Sequence, residues 1–103
     1  MVKEVNQAQF DELLGSGKTL VCDFWASWCG PCRMLAPVME EVSNCFADAQ
    51  FIKVNVDENE ELAARYNVMS IPFVAIFEDG KMKAKSIGYL PEEEMKEFLD
   101  LNL

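Results

Sequence analysis

From Thr19 to Ala26 the chain is almost continuously apolar and rich in strand-forming residues. A strand with one solvated face alternates apolar and polar side chains. An unbroken run like this one reads instead as a strand covered on both faces, which calls for parallel neighbours and helical crossovers. Shortly after it stand Cys29-Gly30-Pro31-Cys32, and then a helical pattern begins. Leu35, Val38, Met39, Val42 and Phe46 recur at the i, i+3, i+4, i+7 spacing of a helix buried on one face, with Pro37 inside it as an expected kink. A buried strand feeding a helix through paired cysteines narrows the fold to α/β.

The remaining elements follow from the same periodicities. Asn6 is expected to cap a first helix, with Gln9 at the capping-box position, Phe10, Leu13 and Leu14 on its apolar side and Gly15-Ser16-Gly17 ending it. Gln50 to Val56 alternates as a strand carrying Phe51, Ile52, Val54 and Val56, and Glu58 to Tyr66 reads as a short helix with Leu62 and Tyr66 on one face. Phe73–Phe77 and Met82–Ile87 flank Asp79-Gly80, a strong hairpin signal, and Lys81, Lys83 and Lys85 alternate as on a protected sheet edge. Pro91 opens a last helix with Glu92, Glu93 and Glu94 in its first turn and Met95, Phe98 and Leu99 on its buried side. With Val2–Val5 as a short leading strand, the order predicts a central mixed sheet of four to five strands flanked by four helices. No repeat, linker or low-complexity stretch divides the 103 residues, so 1–103 is expected to be a single domain.

Composition removes several functions. The net charge is -9, which disfavours nucleic acid and anionic membrane surfaces, since both are bound mainly by clustered Lys and Arg. There is no histidine, so no Ser-His-Asp or Cys-His pair and no His-ligated zinc can be built. The stretch Met1–Asn6 lacks an apolar signal-peptide core, and the apolar run Ile71–Phe77 is too short to span a bilayer. The expectation is therefore a cytoplasmic protein with mostly reduced cysteines, in which any disulfide is transient or catalytic.

Within Cys29-Gly30-Pro31-Cys32, Cys29 is expected at the helix N-terminus, where free backbone N–H groups and the dipole favour a thiolate. A thiol of pKa about 8.5 is only about 3% ionised at neutral pH, and lowering it to about 7 takes roughly 2 kcal/mol. The dipole supplies about 0.3–1 kcal/mol, leaving the rest to hydrogen bonds from helix N–H groups and the Cys32 thiol. Cys32, three residues on, shares a helical face with Cys29 and is close enough to bridge. So short a loop restricts the unfolded chain by only about 2 kcal/mol, a weak staple better suited to opening and closing. Zinc is the alternative use of a Cys-x-x-Cys, but Cys22 and Cys45 stand alone and offer no second pair.

Asp23 interrupts the buried strand, and an unpaired carboxylate there is costly. It is either an outward-facing strand residue or a desolvated acid with a raised pKa, able to exchange protons with Cys32. Lys53, on the next strand, is its candidate partner, set against the commoner reading of a lysine there as a solvated edge charge.

The stretch Trp25-Ala26-Ser27-Trp28-Cys29-Gly30-Pro31-Cys32 resembles the active-site motif of the thioredoxin family. Asp23, Pro37, Lys53-Val54-Asn55-Val56-Asp57, Ile71-Pro72, Asp79-Gly80 and Gly88 agree with that family in order, over essentially the whole chain. The resemblance implies a thioredoxin fold and a protein-disulfide reductase cycling through a Cys29–Cys32 disulfide. By the same resemblance Cys29 attacks, Cys32 resolves, and Asp23 assists proton transfer at Cys32 through water. Gly30 and Pro31 shape the motif, and Trp25 packs beneath its loop. Trp28, Ile71, a cis Pro72 and Gly88 form an apolar rim for substrate. Disulfide-bearing proteins and a thioredoxin reductase are the implied partners of a monomer that needs neither cofactor nor metal.

Some residues depart from the family pattern. Phe73 stands where threonine is usual and is expected to alter the rim's polarity, and Tyr89 stands where a smaller residue is frequent. Cys22 is expected to pack as a small hydrophobe. Cys45, at the border of its helix's apolar face, is weighed as a quiet packing residue ahead of an exposed, modifiable thiol. Two other uses of the fold remain open, a disulfide oxidase or isomerase and a non-catalytic interaction module. Pro31 speaks against the first, because oxidising members often carry histidine there. Retention of both cysteines, Asp23 and Pro72 speaks against the second.

Overall fold

A computed structural model describes residues 1–103. In chain order the elements are β1 (Val2–Glu4), α1 (Gln7–Gly15), β2 (Leu20–Trp25), α2 (Gly30–Ser43), β3 (Gln50–Asn55), α3 (Glu60–Arg65), β4 (Phe73–Glu78), β5 (Lys81–Ile87) and α4 (Glu92–Asn102). The strands form one five-stranded sheet in the order β1-β3-β2-β4-β5. β1 and β2 run parallel to β3, while β4 is antiparallel to β2 and to β5. The mixed sheet with four helices is the expected one, and β2 is its central strand, as its apolar run requires.

Period-two alternation sorts each strand between two cores. Leu20, Cys22 and Phe24 of β2, Ile52 and Val54 of β3, and Phe73, Ala75 and Phe77 of β4 face one side, closed by Phe10 of α1 and Leu62 of α3. Val21, Phe51, Val74 and Ile76 face the other, closed by Leu35, Met39 and Val42 of α2 and by Met95 and Leu99 of α4. The first core is built on edge-to-face aromatic contacts, such as Phe10 on Phe77 with centroids 5.2 Å apart.

Local signals hold where chemistry specified them. Asn6 and Gln9 form the reciprocal capping box of α1. Asp79 and Gly80 have φ of 53° and 79°, the pair of positive values that a two-residue hairpin needs, and β5 forms the sheet edge with its lysines exposed. The periodicity overshot in one place. α2 ends at Ser43, and Phe46 packs on the second core from the following turn. An apolar residue at helical spacing after the last turn cannot be told from one inside the helix by pattern alone.

Candidate active site

Cys29 is the N-cap of α2, and its sulfur accepts the Cys32 backbone N–H at 3.2 Å. Pro31 sits in the first turn, where its missing N–H leaves no helical bond unmade. Cys29 and Cys32 are joined as a disulfide, their Cα atoms 5.2 Å apart. A sulfur at this cap meets backbone N–H groups at the positive end of the helix dipole, so reduction leaves a site suited to a thiolate. Arg33 ties the helix to the preceding loop by donating from Nη1 to the Ser27 carbonyl at 2.9 Å.

The segment between α3 and β4 approaches from the other side. The Ile71–Pro72 bond is cis, and the Ile71 carbonyl oxygen lies 3.8 Å from the Cys29 sulfur. Gly88, at φ 97°, donates its N–H to the Pro72 carbonyl at 2.8 Å. That conformation favours glycine, which fits the residue to this turn. The four rim residues are not equivalent. Trp28 is 68% exposed, Ile71 and Gly88 are half-buried, and Pro72 is buried beneath the rim where the sequence reading had put it in the rim itself. Met69, 84% exposed, and Tyr89 add apolar surface nearby in the chain.

Asp57 carries no site signal of its own in the sequence, yet its carboxylate accepts the Trp28 indole N–H at 2.9 Å. The parallel pairing of β2 and β3 explains the contact. Residues just past Trp25 and just past Asn55 leave the sheet on the same side, so parallel neighbours were the available signal. Phe73 requires a correction. It is 1% exposed and packs edge-on against Phe24, so it belongs to the core and leaves the rim's polarity unchanged. As the first residue of β4 it points into the sheet's aromatic side.

Behind the disulfide lies a cleft of about 250 Å³ lined by Asp23, Trp25, Cys32, Pro37, Glu40 and Lys53 among others. Asp23 is 3% exposed, which rules out the outward-facing alternative. Its Oδ1 and the Trp25 Nε1 are both buried without a protein hydrogen-bond partner. Burial pushes the Asp23 carboxyl up to about 7, with the Lys53 charge pulling it partly back. Lys53 is in register with Asp23 across the sheet, but forms no ion pair with it. Its ammonium lies 5.3 Å from the centroid of the Trp25 ring.

Cys22 is fully buried on the opposite face, as a small hydrophobe should be, and burial, then the neighbouring Asp23 charge, push its thiol well up. Cys45 overturns the quiet reading. It sits in the turn after α2 and is exposed, because the helix that was to bury it ends at Ser43. No three or more Cys, Asp or Glu side chains converge on a point that would hold a metal ion.

The thioredoxin family model matches residues 1–101. Among curated relatives, thioredoxin of Mycoplasmoides gallisepticum is 48% identical over 94 residues, covering 91% of this chain and 94% of its own. Thioredoxin of Staphylococcus aureus strain Mu50 is 47% identical over 103 residues, covering 99% and 98% respectively. A solved structure of Plasmodium falciparum thioredoxin superposes with a TM-score of 0.91 at 34% identity, over 97% of this chain and 98% of that one. With its cysteine pair capping α2 in a thioredoxin fold, the chain belongs to the thioredoxin family and is a protein-disulfide reductase, a thiol–disulfide oxidoreductase.

Proposed function

We propose that Cys29 is the attacking nucleophile and Cys32 the resolving thiol of this reductase. The observation that carries the assignment is the cap: the Cys29 sulfur receives the Cys32 N–H at the start of α2, beside the Ile71 carbonyl. The Cys29 thiolate attacks one sulfur of a target disulfide, the target S–S bond breaks, and the other target sulfur leaves with the electron pair. Cys32 loses its proton and attacks the Cys29 sulfur of the mixed disulfide. The second target sulfur leaves as a thiolate, so the target gains two electrons and Cys29–Cys32 becomes the disulfide.

Asp23 accepts the Cys32 proton in this reading, which its position in the cleft with Cys32 and its raised pKa support. Trp28, held by Asp57, together with Ile71 and Gly88 receives the target segment, while Pro72 carries the Ile71 carbonyl from below. Gly30 and Pro31 keep the turn short, and Trp25 and Lys53 wall the cleft. A thioredoxin reductase regenerates the dithiol. The chain works as a single domain and a monomer, in the cytoplasm, acting on neither nucleic acid nor membrane. No helix is long and apolar enough to cross a membrane.

Cys32→Ser is expected to accumulate mixed disulfides through Cys29 when mixed with disulfide-bearing proteins, read by mass spectrometry. Adducts from Cys29→Ser but not from Cys32→Ser would reverse the two roles. The reduction potential of the pair, measured in defined thiol buffers, separates a reductant from an oxidase or isomerase. A value near or below the cytosolic glutathione poise fits the reductant, and a markedly more oxidising one would overturn it.

A further inference from the structure

The cleft behind the disulfide reaches the surface, and the chain supplies it with polar groups along its length. At its inner end lie Cys32, Asp23 with an unpartnered Oδ1, and the unpartnered Trp25 Nε1. At its outer end stands Glu40, an exposed residue of α2, together with Val2 at the start of β1. The Glu40 carboxylate accepts the Val2 backbone N–H at 3.2 and 3.4 Å, which fixes it across the mouth and leaves its other lone pairs free. Buried polar atoms without a protein partner are ordinarily satisfied by water, and a cleft of about 250 Å³ has room for a short chain of molecules.

We propose that this cleft is the exit by which the proton taken up at Asp23 in the resolving step reaches bulk solvent, and that Glu40 is the positioning residue at its outer end. The proposal rests on the assignment of Asp23 as proton acceptor made above and adds the route and its terminus. When the Cys32 thiol ionises, its proton passes to the Asp23 carboxylate. The Cys32 thiolate forms the bond to Cys29, and the target thiolate leaves. Asp23 must then lose that proton before the next turnover. It gives the proton to the water chain, and Glu40 collects it at the mouth and releases it to bulk water, from which the departing target thiolate takes its proton. The same route returns a proton to Cys32 when the disulfide is next reduced.

The charged groups lining this path or adjoining its lining come from three elements besides β2. Lys53 of β3 is in register with Asp23, Glu4 of β1 is in register with Lys53 on its far side, and Arg33 and Glu40 belong to α2. Among them Glu40 is the one carboxylate that lines the cleft on the solvent side. The basic groups, Lys53 and Arg33, present only N–H donors to the cleft and offer no lone pair to receive a proton.

Glu40→Gln separates relay from scaffold, because the amide oxygen still accepts the Val2 N–H while an amide cannot take up and pass on a proton. Rapid-mixing kinetics with a peptide disulfide resolve mixed-disulfide formation from its resolution, here read between about pH 6 and 8, where a group near neutrality changes state. The expected result is an unchanged first step and a second step slowed several-fold in Glu40→Gln, restored by raising the concentration of a small diffusible buffer such as imidazole. A resolving step equal to that of the unmodified protein at every pH would overturn the route. A slowed step that buffer does not restore would also overturn it, since a structural effect is not rescued by proton carriers. Asp23→Asn is the parallel control. If it leaves the resolving step unchanged, the underlying assignment of Asp23 fails, a result distinct from failure of Glu40 alone.

Discussion

Cys22 and Asp23 are adjacent in β2 and almost equally withdrawn from solvent, yet they meet different surroundings. Cys22 enters the core shared with Phe10, Phe24 and Phe77, whose packed side chains are apolar, and the residue has no proton traffic to join. Asp23 enters the other face, where the apolar core stops short and a cleft brings Cys32, Lys53 and Glu40 to it. Both groups are pushed up by burial, but only the carboxyl lands near neutrality, at about 7, with a path to solvent. Burial alone makes a group inert. Burial beside a polar cleft makes one that can change charge during the reaction. The closed face holds the sheet together, and the open face gives up some stability to place an acid behind the disulfide.

The largest effect should come from breaking the closed face. Phe24→Ala removes a fully buried ring that packs edge-on with Phe73 at 5.7 Å, and should destabilise the fold by about 3–5 kcal/mol in denaturant melts. In the fraction that remains folded the reduction potential should hardly move, because the disulfide draws its N–H donor from α2.

On the open face the sign reverses. With Asp23 at about 7 in the fold and 3.8 as its ordinary value, the native state holds a proton that the unfolded chain has already released. Its contribution is fully present below pH 3.8 and is lost as pH rises through about 7. The full shift corresponds to at most about 4 kcal/mol, since each unit is worth about 1.36. Asp23→Asn should therefore stabilise the protein at alkaline pH by up to about that amount and remove this part of the downward slope of stability against pH. Equal melting profiles for the two proteins from acid to alkaline pH would mean that Asp23 is not held protonated.

Cys22→Ser sharpens the same contrast with a smaller change. It places a hydroxyl among apolar side chains, and a buried donor with no partner costs about 1–3 kcal/mol. Disulfide reductase activity should stay intact, measured at a temperature well below the transition. A large loss of activity with unchanged stability would join the two faces functionally.

Much of this is legible in the sequence. The caps at Asn6 and Cys29, the Asp79-Gly80 turn and the lysine edge on β5 were legible because each depends on a few neighbouring residues and on backbone chemistry that no distant contact overrides. What escaped depended on where a strand or helix stops relative to its neighbours. Phe73 and Pro72 read as surface residues in the sequence and are buried in the fold, because the sequence carries their order and not their depth. Cys45 was judged against a helix that turned out to end two residues earlier, at Ser43. Lys53 does stand opposite Asp23, as strand adjacency suggests, but the placing of its ammonium over the face of Trp25 is visible only in the fold.

The sequence by itself determined the order of elements, the helix-capping cysteine pair and the anomaly of a carboxylate in a buried strand, because periodicity and capping are local. Only the tertiary structure decided that Asp23 shares a cleft with Cys32 and Glu40, that the Ile71 carbonyl comes within reach of the Cys29 sulfur, and that Asp57 holds Trp28. Each of these joins residues from separate elements, and their spacing is set by how the helices and strands pack, which no single segment encodes.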